Sequence, residues 1–368
     1  MEISKRPFYH RFSMILLMLI LVAIILKYGS DIIVPFAFAT LLAVLLVPLN
    51  NYFERKKLSR PTSIFASLAI SFLFIFGIIY FLSIQILAFL DDIPVIKERI
   101  NELIYSLQRW LHQRFGLSMR EQSDYINTAR NSSSGILGDT VLSLTDILIG
   151  LTLLPIYSFL ILYYRDMLKR FIIAVFKDAH RENVEDVLRE SRGVVQNYMV
   201  GLLIEMGIVA VVNFIGFALI GIDYAVFLAV FAAILNLIPY IGMLIASIFC
   251  CIVTLTTSDN TTDAIWTLLV LWVVQFFDNN IIMPRIVGSK VKINAMITIL
   301  GVLIGGALCG IAGMFLSIPG IAILKVIFER VDDLKPWGML LSDDITSNQP
   351  GKIYSRVTRM RKKPPLKS

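Results

Sequence analysis

Charged side chains are scarce in this sequence. Aspartate, glutamate, lysine and arginine make up 17% of its 368 residues, whereas a soluble domain carries about a quarter. The apolar residues, 57% of the total, are clustered, and residues 12–26, 32–49 and 64–90 are almost free of charge. Runs of about 20 apolar residues can cross roughly 30 Å of hydrocarbon as helices. The pattern excludes a soluble protein with a large core and predicts a polytopic membrane protein.

Cysteine and histidine are also rare, with three of each. The cysteines lie in apolar stretches and show neither a disulfide framework nor a CxxC zinc pair. The histidines are far apart in the sequence, whereas a metalloenzyme needs a cluster of ligands. A GxxxxGK[ST] phosphate-binding loop is missing too. These absences predict no metal, no cofactor and no direct ATP coupling, and they argue against an enzyme. The cysteines are Cys250, Cys251 and Cys309.

The hydropathy pattern predicts an all-α fold with about eight transmembrane helices, or nine or ten if two interrupted stretches cross fully. A polar insert after the third span carries leucine and isoleucine at helical spacing. We expect it to form an extracytoplasmic helix that packs on its own protein, rather than on lipid or a partner. The predicted units are 1–90 (spans 1 to 3), 91–145 (insert), 146–165 (span 4), 166–192 (cytoplasmic helical segment), 193–328 (transport unit) and 329–368 (basic tail, expected to be disordered).

Lysine and arginine placement predicts the orientation. The basic segments all fall on one face if the first five spans alternate, and basic loops face the cytoplasm. Both termini are therefore expected in the cytoplasm of a multi-pass protein of the cell inner membrane. The net charge of +7 fits this membrane face better than nucleic acid. The basic segments are the N-terminus, 54–60, 165–192, 285–292 and the tail.

Two apolar stretches, 224–257 and 294–328, are interrupted near their middles. In the predicted orientation the first starts and ends outside and the second inside, so each should be a helical hairpin. Each arm has about 15–17 residues, or about 22–26 Å, so both spanning and re-entrant hairpins remain open. Paired interruptions of opposite topology indicate a transport site; tight turns and close packing are the alternative. The residues assigned to hinges or packing are Gly305, Gly306, Gly310, Gly313 and Pro319.

Polar residues at membrane depth are the candidates for the site. A carboxylate such as Glu205, near the middle of span 5, costs about 2.5–3.5 kcal/mol at the centre of a span. It should be partnered, protonated or facing water, which makes it a candidate proton or ion carrier. Asn197 and Asn213 lie eight residues either side, so the three are expected to share a helix face. Interhelical hydrogen bonding is the alternative for both asparagines.

A second polar group precedes Pro284 at the inner end of span 8. Asp278 and Asn279 offer oxygen ligands for a hard cation or hydrogen bonds for a polar solute, although polar helix ends are common. In the first hairpin, carbonyls freed around Pro239 could also coordinate a solute. The predicted binding residues are Glu205, Asn213, Asn236, Pro239, Tyr240, Gly242, Asp278, Asn279 and Pro284.

These motifs carry a family resemblance. Residues 236–242, Asn-Leu-Ile-Pro-Tyr-Ile-Gly, resemble the Pro-Tyr-Ile-Gly signature of the autoinducer-2 exporter (AI-2E) family. Residues 278–288 are similar to its D-x-x-x-x-x-P-x-x-x-G segment, and 305–319 to its closing hairpin. The resemblance covers nearly the whole chain in span order. It departs at 294–296, Asn-Ala-Met, where members often carry a proline.

The resemblance implies a transporter. Some members of the family export autoinducer-2, and others act as sodium(lithium)/proton antiporters. It also implies a homo-oligomer, with a pentamer suspected, and an elevator-like movement of the hairpin-bearing half. We therefore expect export of a small polar solute, such as a signalling molecule, or else cation/proton antiport. A non-transporting scaffold or sensor that acts through the insert remains a different class of function. The expected partners are the lipid bilayer, a small polar solute or monovalent cation, and copies of the chain itself.

Overall fold

The structure, a computed structural model, describes residues 8–91, 93–115, 152–176, 181–239, 241–258, 260–288 and 293–343. Within these ranges the chain is almost wholly helical, and no strand occurs. Two π-helical turns, Asp278–Ile282 and Pro284–Gly288, follow α10. The α-helices are α1 (Phe8–Tyr28), α2 (Ser30–Arg55), α3 (Arg60–Asp91), α4 (Ile93–Phe115), α5 (Thr152–Tyr163), α6 (Arg165–Val175), α7 (Arg181–Ile220), α8 (Ala225–Leu235), α9 (Ile241–Thr257), α10 (Thr261–Phe277), α11 (Ala295–Arg330) and α12 (Lys335–Leu341).

Five of these helical stretches are long and apolar enough to cross a membrane. This confirms the predicted class, an all-α membrane protein. Shorter apolar helices accompany them, among them both arms of the first interrupted stretch. Many large apolar side chains point outward, such as Leu73, which is 74% exposed, as expected of a surface that meets lipid instead of water. The five candidate spans are Ser30–Arg55, Arg60–Leu87, Arg181–Ile220, Thr261–Ile286 and Ala295–Arg330.

The first bundle is formed by α2, α3 and α5. Its core joins Leu46 of α2, Ile64 of α3 and Leu162 of α5, all buried. The hydroxyl of Ser158 donates a hydrogen bond of 3.2 Å to the carbonyl of Ala39. Small residues at such contacts let helix backbones approach closely in a membrane.

The second bundle surrounds α7, which packs against α2, α8, α10 and α11. At 1.5 Å per residue α7 is about 60 Å long, roughly twice the hydrocarbon thickness. Its polar first turns therefore project beyond the bilayer, and its apolar part crosses it. A buried cluster joins Phe217 of α7, Phe227 of α8, Cys250 of α9 and Leu271 of α10.

The first interrupted stretch turns back at residues 236–239, between α8 and α9. The turn is so tight that a Cβ on Gly242 would lie 2.5 Å from the carbonyl carbon of Leu235 and closer still to its oxygen. Carbon atoms pack at about 3.5–4.0 Å, so only glycine fits there. Gly242 thus lets the start of α9 lie against the end of α8.

The second interrupted stretch, α11, also folds back on itself. Its backbone leaves the helical conformation at Cys309 and Gly310, and Gly310 has φ of +62°, which glycine adopts readily. Beyond the turn the arms cross closely, because a Cβ on Gly305 would lie 2.9 Å from the carbonyl carbon of Gly313. The hydroxyl of Ser317 donates to the carbonyl of Gly301 at 2.8 Å. The first arm, 295–308, is about 21 Å long, short for a full crossing.

Ion pairs gather at the end of the molecule that holds the 54–60 turn. Arg165 of α6 contacts Glu54 of α2 at 2.8 Å, and Arg60 of α3 contacts Asp166 of α6 at 2.6 Å. The Arg60 hydrogen bond lowers the pKa of Asp166 from its usual value. These contacts hold the polar ends of α2, α3 and α5 together at one level.

Candidate functional site

The site begins on the buried face of α7. Glu205 is 6% exposed and Asn213 is 2% exposed. Asn197, expected on the same face, is instead exposed. Eight residues advance a helix by about 80° beyond two full turns, so Asn197 and Asn213 point in nearly opposite directions. That part of the prediction was wrong, and Tyr198 occupies the buried position next to Asn197.

Asp278 enters the site from the end of α10, which packs against α7. It is 1% exposed and lies where α10 widens into the first π-helical turn. The widening has a cause in the sequence: Pro284 has no N–H to donate, and its ring clashes with the carbonyl four residues earlier. Such π-turns often occur at functional sites.

The first hairpin supplies the third polar group. Asn236 ends α8, where its backbone N–H is bonded to the carbonyl of Ala232. Its side-chain Nδ2 donates a 3.0 Å hydrogen bond to Oδ2 of Asp278. The turn of the hairpin is thereby tied to the π-helical end of α10, 42 residues away in sequence.

Glu205 and Asp278 form a carboxyl pair. Their side chains are both buried and interact with each other. Among the described residues, no donor reaches Oε2 of Glu205 or Oδ1 of Asp278, and both atoms are buried. Two carboxylates in contact away from water repel each other strongly. The pair must therefore share a proton, bind a cation, or accept hydrogen bonds from water or a solute.

The oxygen atoms of the site restrict the kinds of ligand that it can bind. Two carboxyl groups and an amide present oxygen ligands, which suit hard cations and protons rather than thiophilic metals. The described part of the chain has no group of three or more histidine, cysteine or acidic side chains able to hold a metal ion. The buried Oδ1 of Asn213, further along α7, also meets no hydrogen-bond donor among the described residues. It extends the polar surface along the helix.

The other predicted binding residues lie apart from the pair. Asn279 is exposed and accepts a 3.1 Å hydrogen bond from Gln275, so it points away from Asp278. Pro284 is exposed, and Pro239 is half-buried in the hairpin turn. Tyr240 lies outside the described residues.

The residues assigned to hinges or packing line the second hairpin. Gly305 and Gly313 stand where its arms cross, and a Cβ on Gly306 would meet the side chain of Met314. Gly310 forms the turn, and Pro319 is buried in the second arm.

Tyr198 was missed by the sequence reasoning. It is 3% exposed and interacts electrostatically with Glu205. It also packs with Leu202 of α7 and with Val302 and Ile318 of α11. The sequence spacing could have predicted its position, since seven residues span almost two whole helical turns and place Tyr198 on the same helix face as Glu205.

Comparison with known proteins gives a consistent family match. The model of a family described as AI-2E family transporter matches residues 14–333. The chain is 24% identical over 330 residues to "AI-2 transport protein TqsA" of Escherichia coli K12, which covers 89% of this chain and 94% of TqsA. It is 26% identical over 312 residues to "Putative transport protein YrrI" of Bacillus subtilis, covering 81% of this chain and 86% of YrrI.

Proposed function

The chain belongs to the AI-2E family of transporters, and on that premise we propose that it exports a small polar solute across the inner membrane by an elevator-like secondary mechanism. The name of one relative gives AI-2 as its cargo, and a small polar signalling molecule of that kind is the proposed solute. Solute or coupling ion would bind at Glu205, Asn236 and Asp278, with Asn213 along the path.

The observation that carries the proposal is the buried carboxyl pair with its unsatisfied oxygens. Buried polar atoms normally find a hydrogen-bond partner, since leaving one unmade costs about 1–3 kcal/mol and more for a charged group. Two such oxygens, on Glu205 and Asp278, favour a site that a ligand or ion completes. An ionisable residue within a membrane span is by default a functional candidate.

The arrangement of the hairpins supports the elevator mechanism. The first hairpin packs with α7 and α10, the second packs with α7, and α2 of the first bundle contacts α7 and α11. We propose that α7 to α11 move as the transport unit against a scaffold of α1, α2, α3 and α5. Oligomer contacts, with a pentamer as the proposed assembly, would hold that scaffold still. The basic end with the 54–60 turn would face the cytoplasm, together with both termini.

A second function, sodium or lithium/proton antiport, is favoured by the same pair. Two buried carboxyl groups that interact with each other can hold either one proton between them or one monovalent cation, but not both. Competition for one site is what an antiporter requires. In the exporter, the same exchange would couple an ion gradient to the solute.

Reconstituted vesicles test the proposal. The purified chain is placed in proteoliposomes that contain a pH-sensitive dye, and sodium, lithium, potassium or members of a panel of small polar solutes are added outside. We expect flux that Asp278→Asn and Glu205→Gln abolish while both variants still assemble. Asn280→Ala is the matched control, because Asn280 is exposed and its Nδ2 donates to the nearby carbonyl of Phe276.

The outcomes separate the candidate functions. Proton release driven by a cation, without solute movement, would identify an antiporter. Solute movement lost in both carboxyl variants supports the exporter. Normal flux in both variants would overturn the site, and function lost only on deletion of the 91–145 insert would favour a sensor or scaffold.

A further inference from the structure

Helix α6, Arg165–Val175, starts at the boundary between membrane and water. It follows the apolar α5 after Tyr164 alone, and tyrosines mark the membrane interface. Arg165 in its first turn bonds to Asn51 and Glu54 at the polar end of α2. Three neighbouring helices therefore place the first turn of α6 at the level where the hydrocarbon ends.

One face of α6 is apolar and exposed. Its large side chains recur at spacings that place them within about 140° of the helix circumference at 100° per residue. Phe171 and Val175 are each 64% exposed. No residue of α6 is buried in the described structure. The residues of this face are Met167, Leu168, Phe171, Ile172 and Val175.

The opposite face of α6 is held by the protein. Asp166 pairs with Arg60 of α3, and Lys169 pairs with Glu185 of α7 at 2.5 Å. The first turns of α7 thus lie over the polar side of α6. The apolar face consequently points away from the described part of the protein.

We propose that α6 is an interfacial helix that lies in the plane of the membrane and binds anionic lipid. Its apolar face enters the boundary between headgroups and acyl chains, as amphipathic helices with basic flanks do. The helix anchors the shared polar end of α2, α3 and α5 at the membrane surface. Through Lys169 it also connects that surface to the projecting part of α7.

The charge around α6 selects the lipid. Arg170 is exposed at the edge of the apolar face. The adjoining turn after α2 adds three exposed basic residues, Arg55, Lys56 and Lys57. A basic cluster beside a membrane-surface helix attracts anionic headgroups. Phosphatidylglycerol represents this lipid class in the test.

Site-directed spin labelling of the full chain in lipid nanodiscs tests the position of the helix. Cys250, Cys251 and Cys309 are replaced by alanine, and a nitroxide is attached to the new cysteine of a Phe171→Cys or Val175→Cys variant. Accessibility to oxygen and to an aqueous nickel chelate is then measured. Leu73→Cys serves as the lipid-facing reference and Glu182→Cys as the water-facing reference.

We expect both labels to be accessible to oxygen and shielded from nickel, at a depth of about 5–10 Å below the headgroup surface. High nickel accessibility would place the face in water and overturn the proposal. Low accessibility to both reagents would mean that protein covers the face, either a second copy or another part of this chain, and would equally overturn it.

A lipid comparison tests the anionic preference. The label at 171 should lie deeper in nanodiscs rich in phosphatidylglycerol than in phosphatidylcholine, and Arg170→Gln should reduce that difference. Equal depth in the two lipids would refute the anionic part of the proposal. The closely related Arg170→Lys variant keeps the charge and should restore the difference. None of these readouts depends on transport, so failure here is distinct from failure of the proposed function.

Discussion

Gly242→Ala should uncouple the first hairpin from the carboxyl pair. The new Cβ would lie 2.5 Å from the carbonyl carbon of Leu235 and 3.3 Å from the backbone nitrogen of Asn236. Because carbon atoms pack at about 3.5–4.0 Å, the start of α9 and the end of α8 must separate by about 1 Å or more. Asn236 belongs to the displaced backbone, so the change acts directly on its side chain.

This separation should break the hydrogen bond between Asn236 and Asp278 and so weaken ligand binding. The bond from Asn236 Nδ2 to Asp278 Oδ2 is 3.0 Å long, and a displacement of about 1 Å takes it beyond hydrogen-bonding distance. A hydrogen bond to a charged group contributes about 1.5–3 kcal/mol. Binding of the transported solute or ion should therefore weaken by about 10- to 150-fold.

Flux in proteoliposomes, measured against ligand concentration, gives the affinity, and elution on size exclusion reports assembly. Gly207→Ala is the matched control: Gly207 lies in α7 near Glu205, and a Cβ there meets nothing within 4 Å. That variant should keep parental affinity and gain about 0.5–1 kcal/mol of helix stability. If Gly242→Ala does not assemble, Asn236→Ala removes the same bond without the steric change. Parental affinity in Asn236→Ala would refute the reasoning.

Three further predictions concern other contacts. Asn236→Ala should reduce affinity at least tenfold more than Asn279→Ala, because only the first side chain bonds to Asp278; equal losses in a flux titration would contradict the structure. Gly313→Leu should lower the thermal midpoint by several degrees and reduce flux, since even a Cβ there would clash with the carbonyl oxygen of Gly305 and lie 2.8 Å from its carbonyl carbon. Arg330 pairs with Glu190 at 2.7 Å, yet both are nearly half exposed, so a double-mutant cycle with glutamine at both positions should give about 0.2–1 kcal/mol in thermal unfolding. A coupling of several kcal/mol would show that this end is shielded from water.

The positions of the turns in the two interrupted stretches could be predicted from the local proline and glycine pattern of the sequence. The Asn-Leu-Ile-Pro-Tyr-Ile-Gly segment lies where α8 gives way to α9, and the glycine-rich segment holds the turn of α11 at Gly310. Proline and glycine constrain or free the backbone at their own positions, so their effect is visible in the sequence. The sequence does not show which residue packs against each glycine and leaves no room for a side chain. Leu235, for example, contacts Gly242 only once the hairpin has folded.

The sequence by itself determined the class of the protein and its long apolar helices, because hydrophobicity and helical periodicity act over a few turns of chain. It also suggested that Asn279 shares the site with Asp278, because the two are adjacent in the chain, but the side chain of Asn279 points away from Asp278 and bonds to Gln275. Only the tertiary structure decided that Glu205 and Asp278, 73 residues apart in numbering, meet in one buried pair and that Asn236 reaches it. The physical reason is that such contacts depend on how α7, α8 and α10 rotate and slide against one another as they pack, and no single segment records that arrangement.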